Sequence, residues 1–332
     1  MKKVVWGVLS TAKIGSGRVL PGMKKSPWVD LRAVGSRDAE KARTFADAMG
    51  IPKHYGSYEA LLADPEIEAI YNPLPNHLHV PMTLAAAKAG KHVLCEKPIA
   101  MNAAEAAQLR DAAGRVLIAE AFMVRFHPQW LRARELVREG RIGTLRIVQM
   151  LFGYNNLDPA NVRNQADIGG GGLYDIGCYA IVAGRWFFGS EPSRGIALID
   201  RDPTFRTDRI TSALVEFSDG RRLDFTVSTQ IAPSQRLQLC GTKGRMELVI
   251  PVNATQGGKT RLHIDDCSSL EGTGIHTETL PESDQYELQG TAFSRAVRGE
   301  IALPFGVDDA IANMKVIDAL FRSEKSGKWE AI

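Results

Sequence analysis

Val4-Val5-Trp6-Gly7-Val8-Leu9-Ser10-Thr11-Ala12-Lys13-Ile14-Gly15 places a short apolar run, a cluster of small residues and a helix-compatible stretch in immediate succession. An apolar run of that length suits a strand buried on both faces of a parallel sheet. A dinucleotide-binding turn at this place reads Gly-x-Gly-x-x-Gly, and here the three positions are Ser10, Ala12 and Gly15. Small residues still let a pyrophosphate approach the backbone and the helix N-terminus, so Ser10, Thr11, Ala12, Ile14 and Gly15 are candidate cofactor contacts. Taken alone the departure from the glycine pattern makes this a weak signal.

The stretches that follow repeat the same rhythm. Val29 to Val34 reads as a second strand, ending at Gly35-Ser36-Arg37-Asp38. An acidic residue at the end of this strand usually holds the adenosine ribose of NAD. Ser36 and Arg37 stand there instead, and a hydroxyl with a guanidinium suits a 2′-phosphate. NADP is therefore preferred over NAD. Asp38 reads more simply as the N-cap of a helix over Ala39–Met49. A strand at Ile67–Tyr71 leads into the Pro-rich loop Asn72 to His79, where Leu74, Asn76 and His79 lie at a strand's carboxyl end and could line the cofactor. The plainer reading of His79 is a helix-start residue without a ligand. After a helix over Val80–Ala89, Val93-Leu94-Cys95 is a further buried strand, followed by Glu96-Lys97-Pro98. Proline stops strand pairing, and ligands in open parallel sheets sit beyond the carboxyl ends of strands, so Lys97 is expected to point into a binding crevice, with Glu96 a candidate cofactor contact beside it; the plainer reading is a surface lysine near a strand end. A helix over Ala103–Ala113 and a strand over Val116–Ala121 complete a doubly wound, Rossmann-type α/β domain, residues 1–121.

The pattern changes after Ala121, and residues 122–332 read as a second, α+β domain. A helix over Gln129–Glu139 and a long strand over Leu145–Tyr154 precede a polar loop, four consecutive glycines (Gly169 to Gly172) and an apolar helix over Leu173–Phe188. From Ile196 to Leu280 the chain alternates in strands separated by turns, as an antiparallel sheet with one covered face does. Two helices follow, at about Asp284–Arg298 and Val307–Ser326. Asp175 and Tyr179 are four apart on the apolar helix, hence on one face. Polar groups on a buried stripe need partners; those are either a substrate or the chain's own hydrogen bonds.

Three segments together, Cys95-Glu96-Lys97-Pro98, Glu120-Ala121-Phe122-Met123-Val124-Arg125-Phe126-His127-Pro128 and Gly171-Gly172-Leu173-Tyr174-Asp175-Ile176-Gly177-Cys178-Tyr179, resemble the glucose–fructose oxidoreductase/inositol dehydrogenase superfamily along essentially the whole chain. The resemblance implies a Rossmann domain, a mainly antiparallel open sheet in the second domain, dimerisation through that sheet, and hydride transfer with NADP beside Lys97. Tyr179 stands where many members carry histidine. This resembles the branch containing glucose–fructose oxidoreductase, NADP-dependent xylose dehydrogenase and dimeric dihydrodiol dehydrogenase.

The expected reaction is hydride transfer between a sugar, at an aldose C1 hydroxyl or a keto-sugar carbonyl, and the nicotinamide. Tyr179 is assigned as the acid/base, with Lys97 favouring its phenolate; Lys97 itself is the alternative base. Asp175 would accept hydrogen bonds from substrate hydroxyls. Arg125 and His127 line the sugar pocket or serve as polar anchors; Arg163 and Asn164 reach the cofactor; Tyr286 walls the pocket or packs in the core. Alternatives are a trans-dihydrodiol dehydrogenase, a sugar–sugar oxidoreductase holding NADP tightly, and a non-catalytic NADP-binding regulator. With 332 residues, 44% hydrophobic and 24% charged, the chain suits two soluble domains, and a net charge of +3 gives no reason to expect nucleic acid or a membrane surface. The amino-terminal residues lack the pattern of a secretory signal, so the expected location is cytoplasmic. Cys95, Cys178, Cys240 and Cys267 are widely spaced and give no metal-site spacing. A small-molecule sugar or polyol and a second copy of the chain, as a homodimer or a dimer of dimers, are the expected partners.

Overall fold

A computed structural model describes residues 2–332. The chain divides into two compact units, Met1–Met123 with Asp284–Met314, and Val124–Ser283 with Lys315–Ile332. Its helices are α1 (Leu20–Met23), α2 (Ala39–Met49), α3 (Tyr58–Ala63), α4 (His79–Lys88), α5 (Ala103–Ala107), α6 (Arg110–Ala113), α7 (Pro128–Arg138), α8 (Cys178–Phe188), α9 (Gln285–Val297) and α10 (Val307–Ser326).

The first unit is built on β1 (Val4–Leu9), β2 (Val29–Gly35), β3 (Lys53–Tyr55), β4 (Ala69–Asn72), β5 (His92–Cys95) and β6 (Ile118–Glu120). All pair in parallel, in the order β3-β2-β1-β4-β5-β6. This is the doubly wound sheet read from the sequence, and its order reverses between β1 and β4. Trp6, Tyr71, Leu20 and Met23 are wholly buried in its core. Asp38 caps α2 by accepting from Glu40 N (3.0 Å) and Lys41 N (3.1 Å). The expected helix over Ala103–Ala113 is broken into α5 and α6.

The sequence reading placed everything after residue 121 in one second domain, whereas the structure returns Asp284–Met314 to the first unit. Packing against α1 is the reason. A Cβ on Gly22 would lie 2.7 Å from the Tyr286 Cβ, so only glycine lets the two helices approach this closely. Trp6 Nε1 donates to Ser294 Oγ (3.1 Å), and the Trp6 and Phe293 rings lie 5.3 Å apart.

The second unit carries β7 (Leu145–Asn155), β8 (Pro192–Arg201), β9 (Asp208–Phe217), β10 (Arg222–Ser228), β11 (Gln230–Gly241), β12 (Arg245–Val249), β13 (Gly258–Asp265), β14 (Ile275–Ser283) and β15 (Glu330–Ala331). They form one sheet in the order β14-β13-β12-β11-β7-β10-β9-β8-β15. Pairing is antiparallel except where β10 runs parallel to β7. Alternate residues Val148, Met150, Phe152, Leu223, Phe225 and Val227 bury one face, and every residue of α8 is buried. Gly184 sits where a Cβ would be 3.0 Å from Leu223, which brings α8 close onto β10. The apolar helix expected from Leu173 begins with a π-type turn, Leu173–Gly177, before the α-helical part. Such turns recur at functional sites.

Candidate active site

In the first unit the carboxyl ends of β1, β4 and β5 adjoin, which is where a doubly wound sheet binds its ligand. Ser10 follows β1 with φ +71°, in the left-handed region that ordinarily belongs to glycine. Its backbone N–H donates to Gly35 O (2.8 Å), but its hydroxyl oxygen is buried and has no hydrogen-bond partner. Ala12 O accepts from Gly15 N (2.9 Å) and Ser16 N (3.3 Å), starting a helix over 13–23 that is of π type from Gly15 to Val19. A Cβ on Gly15 would have Leu20 Cδ1 as its nearest neighbour, at 3.8 Å, so the chain's own packing does not require glycine there.

At the end of β2, Ser36 is buried and its hydroxyl accepts from Asp38 N (3.2 Å). Arg37 is exposed, and its charge offsets part of the burial that raises the Tyr58 hydroxyl above its ordinary pKa. Because the Asp38 carboxylate caps α2, backbone donors hold it below the usual carboxylate range. At β4, Leu74 is buried and Asn76 half-buried. His79 is buried with Nδ1 2.7 Å from Pro98 O and Nε2 2.6 Å from Leu74 O. Burial pushes its pKa down to about 4, so the ring is neutral at pH 7 and donates to one carbonyl at a time. Both nitrogens face backbone of the chain itself. The His79 ring clamps the Leu74 loop to the segment after Lys97, the place given by its plainer reading as a residue at a helix start, and its nitrogens are not offered to a cofactor. At β5, Glu96 Oε1 accepts from the buried Tyr71 hydroxyl (2.8 Å) and Oε2 from Lys97 N (3.3 Å). Tyr71 is the residue that aims Glu96, and sequence reading passed it over. Tyr286, left open between pocket wall and core, is buried in this unit, where the charge of Glu96 acts on its hydroxyl.

In the second unit the glycine run leads into the turn carrying Asp175 and then α8 carrying Tyr179. Tyr179 is 4% exposed, with its ring centroid 6.3 Å from that of Phe152 on β7. Asp175 Oδ2 accepts from the Tyr154 hydroxyl (2.7 Å) and Arg163 Nε (2.8 Å). Burial and the neighbouring Asp175 carboxylate both raise the Tyr154 pKa far above its ordinary value, so it stays a hydroxyl donor. Tyr154 was read only as the end of a strand; a polar aromatic beside a polar loop was the available signal. Arg163, expected to reach the cofactor, is an ion-pair partner of Asp175. The Asn164 amide is tied within its own loop, donating to Asn156 O (3.2 Å) and Asp158 O (2.9 Å). Arg125 is buried. His127 is buried with Nδ1 accepting from Gln129 N (3.1 Å), as the cap of α7, and Nε2 3.2 Å from Ser283 Oγ. Of the two readings of His127, pocket lining or polar anchor, the structure gives the anchor.

Among the described residues no cluster of three or more His, Cys, Asp or Glu side chains could hold a metal ion, and no helix is long and apolar enough to cross a membrane.

Comparison with known proteins adds to this geometry. Residues 4–116 match the oxidoreductase family with an NAD-binding Rossmann fold, and residues 130–247 match the GFO/IDH/MocA C-terminal domain. The chain is 43% identical to an uncharacterised oxidoreductase of Rhizobium meliloti over the full length of both. It is 35% identical to the D-xylose 1-dehydrogenase (NADP(+)) 2 of Haloferax volcanii, with 98% of each chain covered. Among solved structures, the 3-ketoreductase KijD10 of Actinomadura kijaniata, in complex with NADP and TDP-benzene, superposes with a TM-score of 0.90 at 27% identity, covering 97% of this chain and 98% of that one.

Proposed function

The chain belongs to the GFO/IDH/MocA oxidoreductase family, and from that premise we propose that it is an NADP-dependent dehydrogenase of an aldose, oxidising the C1 hydroxyl and running in reverse on the corresponding carbonyl. One observation carries the cofactor assignment. Ser10 holds a left-handed conformation at the switch point of the sheet, with a buried hydroxyl that no protein group satisfies. A phosphate oxygen is the acceptor such a donor lacks, and Gly15, free of any packing demand from the chain, lets a pyrophosphate lie against the helix start. Strain at a site of this kind is retained where function needs it.

The preference for NADP rests on Ser36, Arg37 and Asp38. Asp38 turns its carboxylate to the α2 N-terminus, so it is committed to backbone donors there and not to a ribose hydroxyl. The exposed Arg37 supplies a planar cation suited to phosphate. The naming of a xylose-oxidising relative as NADP-dependent supports the same choice.

When bound, the dinucleotide supplies the hydride acceptor. What the chain must do is orient the sugar and take the hydroxyl proton. We assign proton transfer to Tyr179. A phenol has an ordinary pKa of about 10, and a cation beside it favours the phenolate; Lys97 is assigned that part. Asp175, braced by Tyr154 and Arg163, presents its carboxylate to sugar hydroxyls.

The test is absorbance of the reduced nicotinamide during incubation with NADP and D-xylose, D-glucose, D-galactose or L-arabinose. Turnover with at least one sugar is expected, and Tyr179→Phe and Lys97→Ala should each lower kcat by about 100- to 10,000-fold. Binding of NADPH with no turnover of any sugar would make the chain a cofactor-binding regulator instead.

We also propose a homodimer through the uncovered face of the second sheet. Leu198, Leu214, Ile147 and Leu151 are exposed there, the first two on the neighbouring strands β8 and β9 and the last two on β7, beyond β10. Register aligns them: Leu214 lies opposite Ile196, and Leu198 opposite Ser212. Between β9 and β7, β10 presents Arg222, Asp224 and Thr226 to the same face, and a sheet face that mixes exposed apolar side chains with polar ones suits an isologous contact between two copies.

A further inference from the structure

Asp208, the first residue of β9, is 1% exposed, and no cation lies within ion-pair distance of it among the described residues. Its carboxylate points into the glycine run. Oδ2 accepts from Leu173 N (2.6 Å) and from the Thr211 hydroxyl (2.9 Å). A Cβ on Gly171 would collide with Oδ1 at 1.9 Å, and Gly171 has φ +120°, which a residue with a side chain rarely adopts. Gly171 in turn accepts from Asp175 N (3.0 Å). The carboxylate thus touches the turn before the helix, the first amide of the helix and, through Gly171, the backbone of Asp175.

We propose that Asp208 is a positioning residue of the active site, holding the glycine run and the first helical turn in the geometry that presents Asp175 and Tyr179 to substrate. This rests on the assignment of those two residues above. A buried carboxylate is a poor choice for stability alone, because desolvation opposes its charge. Burial raises the Asp208 pKa to about 6, with the Leu173 amide and the Thr211 hydroxyl opposing the rise. The charged and titratable groups that act on it are Arg201 on β8, itself held by both oxygens of Glu324 (2.6 and 2.7 Å), and Tyr154 on β7. Above pH 6 the ionised carboxylate accepts strongly from Leu173; below it the protonated form accepts weakly and the turn loosens.

Asp208→Asn tests this with NADP and whichever sugar of the panel is turned over fastest. The variant is expected to lose about 10- to 100-fold in kcat, as small misplacements of reacting groups do. NADPH affinity should hold within about two-fold, since both hydrogen-bond partners of the carboxylate, Leu173 and Thr211, belong to the second unit. The acid limb near pH 6 in kcat should disappear, and the thermal midpoint at pH 8 should equal or exceed that of the unsubstituted protein, a buried charge having been removed. A kcat within about two-fold with the acid limb intact would overturn the proposal, and so would a loss of kcat matched by a loss of thermal stability. If the asparagine variant does not fold, Thr211→Val decides. Removing one donor to the carboxylate should move the acid limb to higher pH, and an unmoved limb overturns the proposal. Failure of the underlying assignment looks different: no sugar is turned over, or Tyr179→Phe keeps full activity while Asp208→Asn is impaired.

Discussion

Replacing Ser10 by glycine should make the cofactor-free protein more stable and its cofactor complex weaker. The left-handed φ of +71° costs a residue with a Cβ about 1–2 kcal/mol. The buried hydroxyl without a partner adds about 1–3 kcal/mol in unrecovered desolvation. Glycine removes both terms but loses about 0.5–1 kcal/mol more chain entropy on folding. The net expectation is a gain of about 1–4.5 kcal/mol in urea unfolding of the cofactor-free protein. The hydroxyl is also the donor proposed to meet a charged phosphate oxygen, a bond worth about 1.5–3 kcal/mol. Its loss should weaken NADPH binding by about 10- to 100-fold, read by fluorescence titration or calorimetry. Ser10→Ala separates the two costs, since it removes the hydroxyl and keeps the strain; its gain in stability should be smaller, with the same loss of affinity. Unchanged NADPH affinity in both variants would refute the phosphate role. Unchanged or reduced stability in the glycine variant would refute the strain argument.

Arg37→Ala should weaken NADPH by about 10- to 100-fold, the value of a charge-assisted bond, while NADH affinity stays nearly constant; equal effects on both cofactors would remove the 2′-phosphate role. The double substitution Leu198→Lys and Leu214→Lys should halve the mass seen by light scattering at micromolar concentration without changing the circular dichroism, because like charges would face each other across a two-fold axis; an unaltered mass would exclude this face as the interface. Glu68 accepts from Val5 N (2.9 Å) and from Arg298, whose guanidinium holds its pKa down to about 2 from the ordinary 4.5. The folded pKa is depressed, so the stabilisation is present above pH 4.5 and lost as the pH falls towards 2. Glu68→Gln should therefore cost about 2–3 kcal/mol at pH 7 and flatten the pH dependence of urea unfolding over that window; an equally steep dependence in the variant would place the acid sensitivity elsewhere, Asp64 being the next candidate with a pKa near 2.

The first unit's sheet could be read from sequence because each signal there is local. Buried parallel strands are unbroken apolar runs, as Val4 to Leu9 is, and α2 is delimited by the Asp38 cap and by Gly50 in the left-handed conformation. The position of Glu96 and Lys97 just past β5 was legible for the same reason, since a strand end and a proline are adjacent in the chain. What escaped depended on partners far along the chain. Nothing near Tyr286 says that a glycine at position 22 waits for it, so α9 was placed with its neighbours in sequence. His79 and His127 each allow two readings from sequence, a site residue or a structural one; their nitrogens are engaged by Pro98, Leu74, Gln129 and Ser283, and only the folded backbone reveals those partners. Tyr71, Tyr154 and Asp208 were missed because each acts on a site residue from another strand.

Ser10 and Asp208 are alike in a way that bears on how far the site can be argued from stability. One is a serine in a conformation made for glycine, and the other is a carboxylate away from water and from any paired cation. Glycine at position 10 and an uncharged acceptor at position 208 would serve the packing of their own units better. Sequences tend to agree with their folds at every level except where function requires otherwise. Ser10 follows the first strand at the point where the sheet order reverses, and Asp208 grips the turn that leads into Asp175 and Tyr179. The two costs therefore fall at the two turns assigned to cofactor and substrate. If they are functional, relieving each should raise stability and lower a different quantity: cofactor affinity at Ser10, turnover at Asp208. A variant at either position that gained stability with both quantities intact would break the link between local strain and function on which both assignments stand.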